Sequence, residues 1–395
     1  MKRMTGRTRV VVCPMPMRLR LVFAAAASLL AAAPAQAAFV DVSPPRLFRP
    51  FVMLLTDSIG KSIGRALPVP AASAGIIYDF DPLRGTFVRA VSPAGQIFLE
   101  RPDPIARGHV NFSLAYERIR FDTLDGKRLE SLRDTVPIPL RQSFAYTIPL
   151  FGIQLETQEV TASLTYGLTN DIEVNAAIPV LYTQFGLNLV AEFPAFGATS
   201  SFQTRLHEVG VGDLLLRGKY AFIRRPWVHA AFGLVLRIPS GNQDNFQSTG
   251  AVEVSPLIYV SQDPVTFGKL VSLQPYLNVG VDLDARKVND SEARWGVGLD
   301  CAVAGRFTVA LAILARHAFS TTLSPHVFDV PRARGAAAPL FGIEPGRPDF
   351  FDASIGGRVN LWRDTIFAFA TAIAPLNRDG FRSGVIPLAG VEATL

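Results

Sequence analysis

The feature that most constrains this chain is a set of twelve stretches in which apolar and polar residues alternate. In residues 171–182, for example, Ile172 and Val174 share one parity while Glu173 and Asn175 share the other. Because successive side chains of a strand point to opposite faces, each stretch predicts a strand with one apolar face. A strand of a soluble sandwich would show the same pattern, so the placement of charges has to separate these two classes of protein.

The predicted strands mostly have about the 9–11 residues that a tilted strand needs to cross a bilayer core. They cover residues 108–120, 158–168, 172–185, 207–222, 227–238, 250–261, 270–283, 294–304, 307–317, 350–361, 365–374 and 384–395. The connections between them alternate in length, with about 37 residues after the first strand and only 169–171 after the second. Outer-membrane barrels have long extracellular loops and short periplasmic turns, and an even strand count places every long loop outside.

Charged residues are nearly absent from the apolar face of these strands, away from the strand ends. A charge that faces lipid at mid-depth costs about 2–4 kcal/mol, so this segregation has a physical cause. We therefore predict an all-β fold, a transmembrane antiparallel β-barrel of about twelve strands over residues 108–395. The predicted lumen charges are Glu117, Glu173, Asp213, Arg217, Lys219, Arg237, Glu253, Asp282, Arg294, Asp300, Arg316, Asp352, Arg358 and Glu392. Their mixed signs argue against strong ion selectivity, and we expect most of them to pair across strands.

Residues 1–37 have the features of a secretory signal peptide. A basic start precedes an apolar run at 21–33, and Ala35-Gln36-Ala37 matches the small-residue cleavage pattern. The run is short for a spanning helix, although an N-terminal anchor helix is the alternative. Cleavage near Ala37 would send the protein to the outer membrane of a Gram-negative cell. The true start is Met1, Met15 or Met17.

Removal of this segment changes how the charge and the cysteines are interpreted. Residues 1–37 contain six basic and no acidic residues, so the net charge falls from +6 to zero. The basic balance of the full chain is therefore no indication of nucleic-acid binding. Cys13 leaves with the signal, so Cys301 has no intramolecular disulfide partner and is predicted to be a small lipid-facing side chain.

Residues 38–107 are rich in proline and do not follow the barrel pattern. They predict an amphipathic helix over 51–67 and short strands at 75–80, 85–91 and 96–100. The segment is either a disordered periplasmic leader or a plug in the lumen. Its aromatic content favours the plug, because disordered segments are poor in aromatic residues. We expect Glu100 and Arg101 to anchor it to the barrel wall.

Five short motifs occur in a fixed order along the chain. They are YDFDP at 78–82, FLER at 98–101, TYGLTNDIEV at 165–174, GVGDL at 210–214 and PSGNQDN at 239–245. Together they resemble the outer-membrane transporter family described as the MetA pathway of phenol degradation, over the leader and nearly the whole barrel. The resemblance implies a barrel associated with uptake of aromatic or other hydrophobic compounds, and it implies no specific binding residues. The chain departs from the usual barrel ending, because Leu395 stands where the insertion machinery usually reads an aromatic residue.

The candidate substrate contacts are aromatic residues that lie beside polar lumen groups, as hydrophobic binding sites require. A twelve-stranded barrel lies between side-chain-filled barrels of about eight strands and aqueous channels of about sixteen, so we expect a narrow or plugged path. The candidates are Tyr78, Phe80, Phe87 and Phe98 in the leader, and Asn242, Asp244, Asn245 and Phe246 in the third outward loop.

The expected function is passive uptake of small hydrophobic or aromatic molecules, with no catalysis, cofactor or metal. The expected partners are outer-membrane lipid and lipopolysaccharide, the solute and the barrel assembly machinery, but no nucleic acid. One alternative is a structural or interaction barrel that presents long loops, notably 318–349. Others are an outer-membrane lipid hydrolase that uses His317 and Ser320, and a soluble secreted all-β protein. The sequence contains none of the motifs H-E-x-x-H, C-x-x-C or G-x-S-x-G.

Overall fold

The computed structural model describes residues 77–81, 86–90, 99–140, 144–193, 197–225, 227–242, 245–267, 271–303, 307–320, 322–330, 338–347, 349–362 and 365–395. The strands are β1 (Ile77–Asp81), β2 (Thr86–Ala90), β3 (Val110–Leu124), β4 (Lys127–Arg128), β5 (Leu132–Leu140), β6 (Phe144–Gly167), β7 (Ile172–Phe193), β8 (Ala198–Val211), β9 (Leu214–Arg225), β10 (Val228–Ile238), β11 (Glu253–Ser261), β12 (Val265–Phe267), β13 (Val271–Asp284), β14 (Glu292–Val303), β15 (Phe307–Ala318), β16 (Thr322–Val330), β17 (Ala338–Gly346), β18 (Asp349–Trp362), β19 (Ile366–Pro375), β20 (Phe381–Ser383) and β21 (Ile386–Thr394).

Short 3-10 turns span Leu129–Ser131 and Val288–Asp290. None of the helical segments that the structure describes has the length and the apolar character needed to cross a membrane. The predicted signal at 1–37 and the predicted helix at 51–67 lie outside the described residues.

The wall is one closed antiparallel sheet, so the predicted barrel is confirmed. Twelve strands form the wall when β8 and β9 are counted as one broken strand, which we call a stave. They are β3, β6, β7, β8 with β9, β10, β11, β13, β14, β15, β18, β19 and β21. β8 and β9 form one stave because both pair with β7 on either side of a break at 212–213. The last strand closes on the first, with Val391 opposite Leu114, and the Leu395 amide donates to the Val110 carbonyl at 2.8 Å. No sheet edge is left open at this seam, as a membrane barrel requires.

The exterior carries an apolar band that suits lipid. Phe112, Leu114 and Val174 are exposed on it, in agreement with the predicted parity. Exposed aromatic side chains lie close to the short turns at one end of the barrel, like the girdles at the interface of membrane barrels. These are Tyr166, Phe222, Trp227, Phe307 and Trp362. We call this end the inner end and the opposite one the outer end.

Several strands continue past the membrane band, where the sequence pattern predicts loops. β6 has 24 residues and β7 has 22, and their pairing continues through β5 and β8 at the outer end. The outward face changes from Tyr116 to the ion pair of Arg118 with Glu156, so the apolar pattern stops while the backbone ladder goes on. Within the connection 318–349, β16 pairs with β17.

The described part of the leader has two features. The predicted strands at 75–80 and 85–91 are found as the hairpin of β1 and β2. The strand predicted at 96–100 is wrong for its described residues, because Leu99 and Glu100 lie outside any strand. These residues begin a non-regular segment, 99–107, whose Leu99, Arg101 and Ile105 side chains are buried against lumen-facing residues. We call it the lumen segment.

Candidate functional site

Two adjoining cavities lie in the lumen, and a third, the outer cavity, lies at the outer end against outward-facing side chains such as Arg120, Glu130 and Glu156. The outer cavity has a volume of about 640 Å³ and is lined by β3 to β8, and the central cavity has about 190 Å³. A cavity of about 30 Å³ shares Phe121 with the outer cavity and Arg316, Asp352, Ile373 and Ile386 with the central one. The four residues shared with the central cavity place the small cavity directly beside it in the lumen.

The central cavity has an apolar part and a charged part. Leu215, Leu257, Leu314, Ile373 and Ile386 contribute apolar side chains to its lining. Water-filled porin lumens are polar, so aliphatic side chains inside a barrel wall are a departure from that pattern. The charged part of the lining includes Arg217, Arg237, Glu253, Asp282, Arg294 and Arg316.

The lumen segment contacts the wall below the central cavity through ion pairs. Arg101 lies 2.7 Å from Asp300, with both side chains almost fully buried. Glu100 lies 3.3 Å from the Lys219 ammonium, and Asp103 lies 2.7 Å from His229. The expectation that Glu100 and Arg101 join the leader to the wall is confirmed by these contacts.

The backbone of the lumen segment is also fixed to the wall. The Ile105 amide donates to the Glu173 carboxylate at 2.7 Å, and Lys219 pairs with the same carboxylate at 2.8 Å. Gly167 packs against the segment so closely that a Cβ atom there would overlap the Ala106 carbonyl oxygen. The chain can therefore pass this point only because residue 167 has no side chain.

All fourteen predicted lumen charges face the interior. Nine of them are buried, and Arg237, Asp282, Arg294, Arg316 and Asp352 line the central cavity. Many pair with a neighbour in the wall, as Arg237 does with Glu253 at 3.1 Å, Arg294 with Asp282 at 3.4 Å, and Arg358 with Glu392.

Sequence reasoning missed several lumen charges. Glu159 has the parity opposite to lipid-facing Val160 on its strand, and Glu292 shares the parity of Arg294, so the pattern could have included both. Arg382 and Asp103 lie outside the predicted strands, where parity gives no signal.

Phe350 lies between two arginines that line the small cavity. The guanidinium groups of Arg316 and Arg382 lie 4.7 Å and 4.6 Å from the centre of this ring. Arg382 also lies 2.9 Å from Asp352, and burial lowers the pKa of its guanidinium while Asp352 offsets part of that shift. Gly380, at a φ of +67°, leaves the space that the Phe350 ring occupies.

The third outward loop, which contains predicted contacts, packs against the inward face of β7 and β8. Asn245 and Phe246 are fully buried, and the Phe246 ring lies 5.4 Å from that of Phe185. Neither residue lines the three cavities described above. Asp213 holds the loop, since it accepts hydrogen bonds from the Thr249 amide at 2.9 Å and its hydroxyl at 3.2 Å.

The other predicted contacts stay predictions. Tyr78, Phe80 and Phe87 lie on β1 and β2, for which the structure describes the backbone. Phe98 and Asp244 lie outside the described residues, and Asn242 is found at the start of the buried loop, where its carbonyl accepts from the Gln247 amide at 3.0 Å.

The hydrolase residues considered from the sequence are not brought together. The ring nitrogens of His317 contact Asp349 at 3.1 Å and the Trp295 indole at 3.1 Å. The Ser320 hydroxyl donates instead to the Asn289 carbonyl at 2.6 Å. A nucleophile needs a base within hydrogen-bond reach, and this serine hydroxyl is bonded elsewhere. Over the described ranges, no group of three or more His, Cys, Asp or Glu side chains is placed to hold a metal ion.

Comparison with known proteins gives structural similarity only. No family model matches the chain, and no curated protein matches it. Among solved structures, it is similar to the COG4313 outer membrane channel from Pseudomonas putida F1, with a TM-score of 0.44 and 10% identity over 74% of this chain and 98% of that one. It is also similar to the NanC porin, with a TM-score of 0.38 and 10% identity over 72% and 100% of the two chains. A third is the CymD monoaromatic hydrocarbon channel, with a TM-score of 0.37 and 7% identity over 74% and 89%. At this level the likeness carries no argument about what this chain transports.

Proposed function

We propose that this barrel is a passive channel for small hydrophobic, including aromatic, compounds in the outer membrane of a Gram-negative cell. The observation that carries the proposal is the apolar part of the central cavity, formed by inward side chains such as Leu215, Leu257 and Ile373. Aliphatic side chains at mid-barrel offer no polar contacts to ions or sugars, whereas a hydrophobic solute is stabilised by contact with them.

The size of the central cavity fits one small aromatic ring. An engineered protein cavity of about 150 Å³ holds benzene, and the central cavity here has about 190 Å³. The charged lining beside the apolar part would suit a ring with one polar substituent, such as a phenolic hydroxyl. This fits the uptake of aromatic or other hydrophobic compounds that the resemblance to the MetA-pathway transporters implies.

The route passes the small cavity, where Arg316 and Arg382 flank Phe350, into the central cavity. Below it, the lumen segment blocks the way with residues such as Arg101 and Asp103. We propose that residues 38–107 act as an inner plug that must shift before solute is released. The mature chain would begin after cleavage near Ala37.

The exterior supports the proposed lipid partners. The aromatic residues near the inner turns would lie at the level of the lipid headgroups. At the outer end, the outward charges Arg118, Arg120 and Glu130 would face the polar lipopolysaccharide surface. Insertion by the barrel assembly machinery follows from the same fold, and it would have to proceed with Leu395 at the chain end.

The function is tested by uptake in Gram-negative cells that produce the full chain. We expect faster accumulation of radiolabelled toluene than in cells without the barrel, and no change for glycerol as a small polar control. Faster uptake of glycerol with no effect on toluene would overturn the proposal. In planar bilayers, the intact barrel should conduct little, and deletion of residues 38–107 should raise its conductance. Conductance and uptake indifferent to that deletion would exclude the plug.

A further inference from the structure

Two carboxylates face each other inside the barrel, and the proposed transport of hydrophobic solutes gives no reason for this pairing. Glu117 on β3 and Glu159 on β6 are direct cross-strand partners, and both point into the lumen. Glu117 is 2% exposed and Glu159 is 6% exposed. Directly opposed like charges destabilise an antiparallel pair, so this arrangement needs a compensating charge.

The surroundings of the pair increase that need. Leu388 lies opposite Glu117, and Leu181 lies opposite Glu159 on the other side of β6. Ile119 follows on the same face of β3, and all three aliphatic side chains are almost fully buried. Carboxylates among buried aliphatic groups have lost much of their hydration, which makes the ionised pair unfavourable unless a cation or a proton neutralises it.

The basic residues nearby have other partners. Arg118 points to the exterior and pairs with Glu156. Arg237 is a charged neighbour of Glu159, but it lies 3.1 Å from Glu253 and also 4.0 Å from Asp213. One guanidinium thus serves several carboxylates, and the cluster keeps an excess of negative charge.

The hydrogen bonding of the cluster is incomplete in a way that points to a ligand. Among the described residues, neither carboxylate oxygen of Glu117 has a hydrogen-bond partner. Thr157 lies on the same face of β6, two residues from Glu159, and its hydroxyl is fully buried and also unpartnered. Buried polar atoms almost always find a partner, so three unpartnered oxygens at one place call for an explanation.

We propose that Glu117, Glu159 and Thr157 bind a divalent cation of the Ca²⁺ class. Ca²⁺ accepts carboxylate and neutral oxygens in flexible geometry and is often completed by water, whereas Mg²⁺ demands a near-ideal octahedron. A single ion would neutralise both carboxylates and coordinate the unpartnered oxygens together. One shared proton would form a single hydrogen bond and leave the remaining oxygens without partners. The bound ion would tie β3 to β6 close to the outer limit of the apolar band.

The test uses the full chain in detergent, treated with EDTA and then dialysed, with folding verified by a heat-modifiable gel band. Titration with CaCl₂ by calorimetry should show one ion bound per barrel, and Ca²⁺ should raise the unfolding temperature. Glu117→Gln keeps the side-chain shape and should weaken Ca²⁺ binding by about tenfold or more, because affinity follows the number of charged ligands. Glu156→Gln is the matched control, since Glu156 lies on β6 beside Thr157 and Glu159 but faces outward, and it should bind Ca²⁺ like the wild type.

Absence of both binding heat and thermal shift in the wild type would overturn the proposal. So would a Glu117→Gln variant that binds Ca²⁺ as tightly as the wild type. If Glu117→Gln lacks the folded band, Glu159→Gln and Thr157→Val probe the same site, and full Ca²⁺ affinity in both would equally overturn it. None of these readouts depends on transport, so the result is independent of the proposed function.

Discussion

The guanidinium of Arg101 lies 2.7 Å from the carboxylate of Asp300, although the two residues are 199 positions apart in the chain. The contact joins the lumen segment to β14 in the interior of the barrel, where both side chains are almost fully buried. Burial makes this pair different from the ion pairs on the barrel exterior. An exposed pair is screened by water, whereas loss of one partner here leaves a charge without compensation.

Arg101→Met should loosen the lumen segment and destabilise the barrel. Breaking a buried ion pair by removal of one partner typically costs about 3–5 kcal/mol. We expect unfolding in urea at lower concentration and more frequent open events in planar bilayers. Arg118→Met is the control, since it removes a half-exposed exterior pair with Glu156 and should change neither readout appreciably. Equal conductance of Arg101→Met and wild type would show that this pair does not hold the plug.

Gly167→Ala tests the same segment without a change of charge. A methyl group at residue 167 would overlap the Ala106 carbonyl oxygen, so the backbone of the lumen segment has to move. We expect trypsin to cut after Arg107 faster in the folded variant than in the wild type. Gly218→Ala is the control, because a Cβ atom there has no heavy atom within 4 Å. Identical protection of both variants would mean that the segment tolerates displacement without release.

The barrel wall could be predicted from the sequence because lipid imposes a strict rule on one face of each strand. Phe112, Leu114 and Tyr116 follow that rule, and the ladder from β3 to β21 follows from it. The rule applies only to residues that face the membrane. Beyond the level of the Arg118–Glu156 pair, where β6 and β7 continue, the apolar pattern therefore predicts loops. Beyond the band, pairing depends on backbone hydrogen bonds, which leave little trace in the apolar pattern.

The candidate site was harder to predict, because its partners come from distant parts of the chain. Glu100 and Arg101 could be recognised as anchors, but nothing in the sequence names Lys219 and Asp300 as their partners. The buried place of Phe246 also has no signal in the sequence, since it depends on a positive φ and on the hydrogen bonds of Asp213. Parity identifies which side chains point inward, but it does not show which of them leave room between them.

Asp213→Ala should release the buried loop that contains Asn245 and Phe246. The carboxylate of Asp213 accepts from both the amide and the hydroxyl of Thr249, and a hydrogen bond to a charged group contributes about 1.5–3 kcal/mol. We expect faster hydrogen exchange in residues 239–252 and a lower unfolding temperature. Asp171→Ala, in an exposed turn where Asp171 pairs with Arg224, is the control and should leave the loop protected. If the loop is a constriction, conductance should also rise, and unchanged conductance with an opened loop would remove it from the substrate path.

Ile373→Ala should change which solutes pass, because Ile373 lines both the small and the central cavity. Loss of its outer carbon atoms would widen the passage where it is narrowest. We expect naphthalene to enter producing cells faster than through the wild type, with toluene uptake changed less. Ile355→Ala is a matched control on the neighbouring strand, since Ile355 is 57% exposed on the exterior and lines neither cavity.

Both variants remove the same atoms, so any difference in solute selection comes from the position of the side chain. An equal response of Ile373→Ala and Ile355→Ala would mean that the interior apolar wall does not select the solute. Faster uptake of naphthalene in Ile373→Ala alone would place the moving molecule against that wall. The heat-modifiable band of each variant has to match that of the wild type, because a poorly folded barrel would lower uptake of every solute.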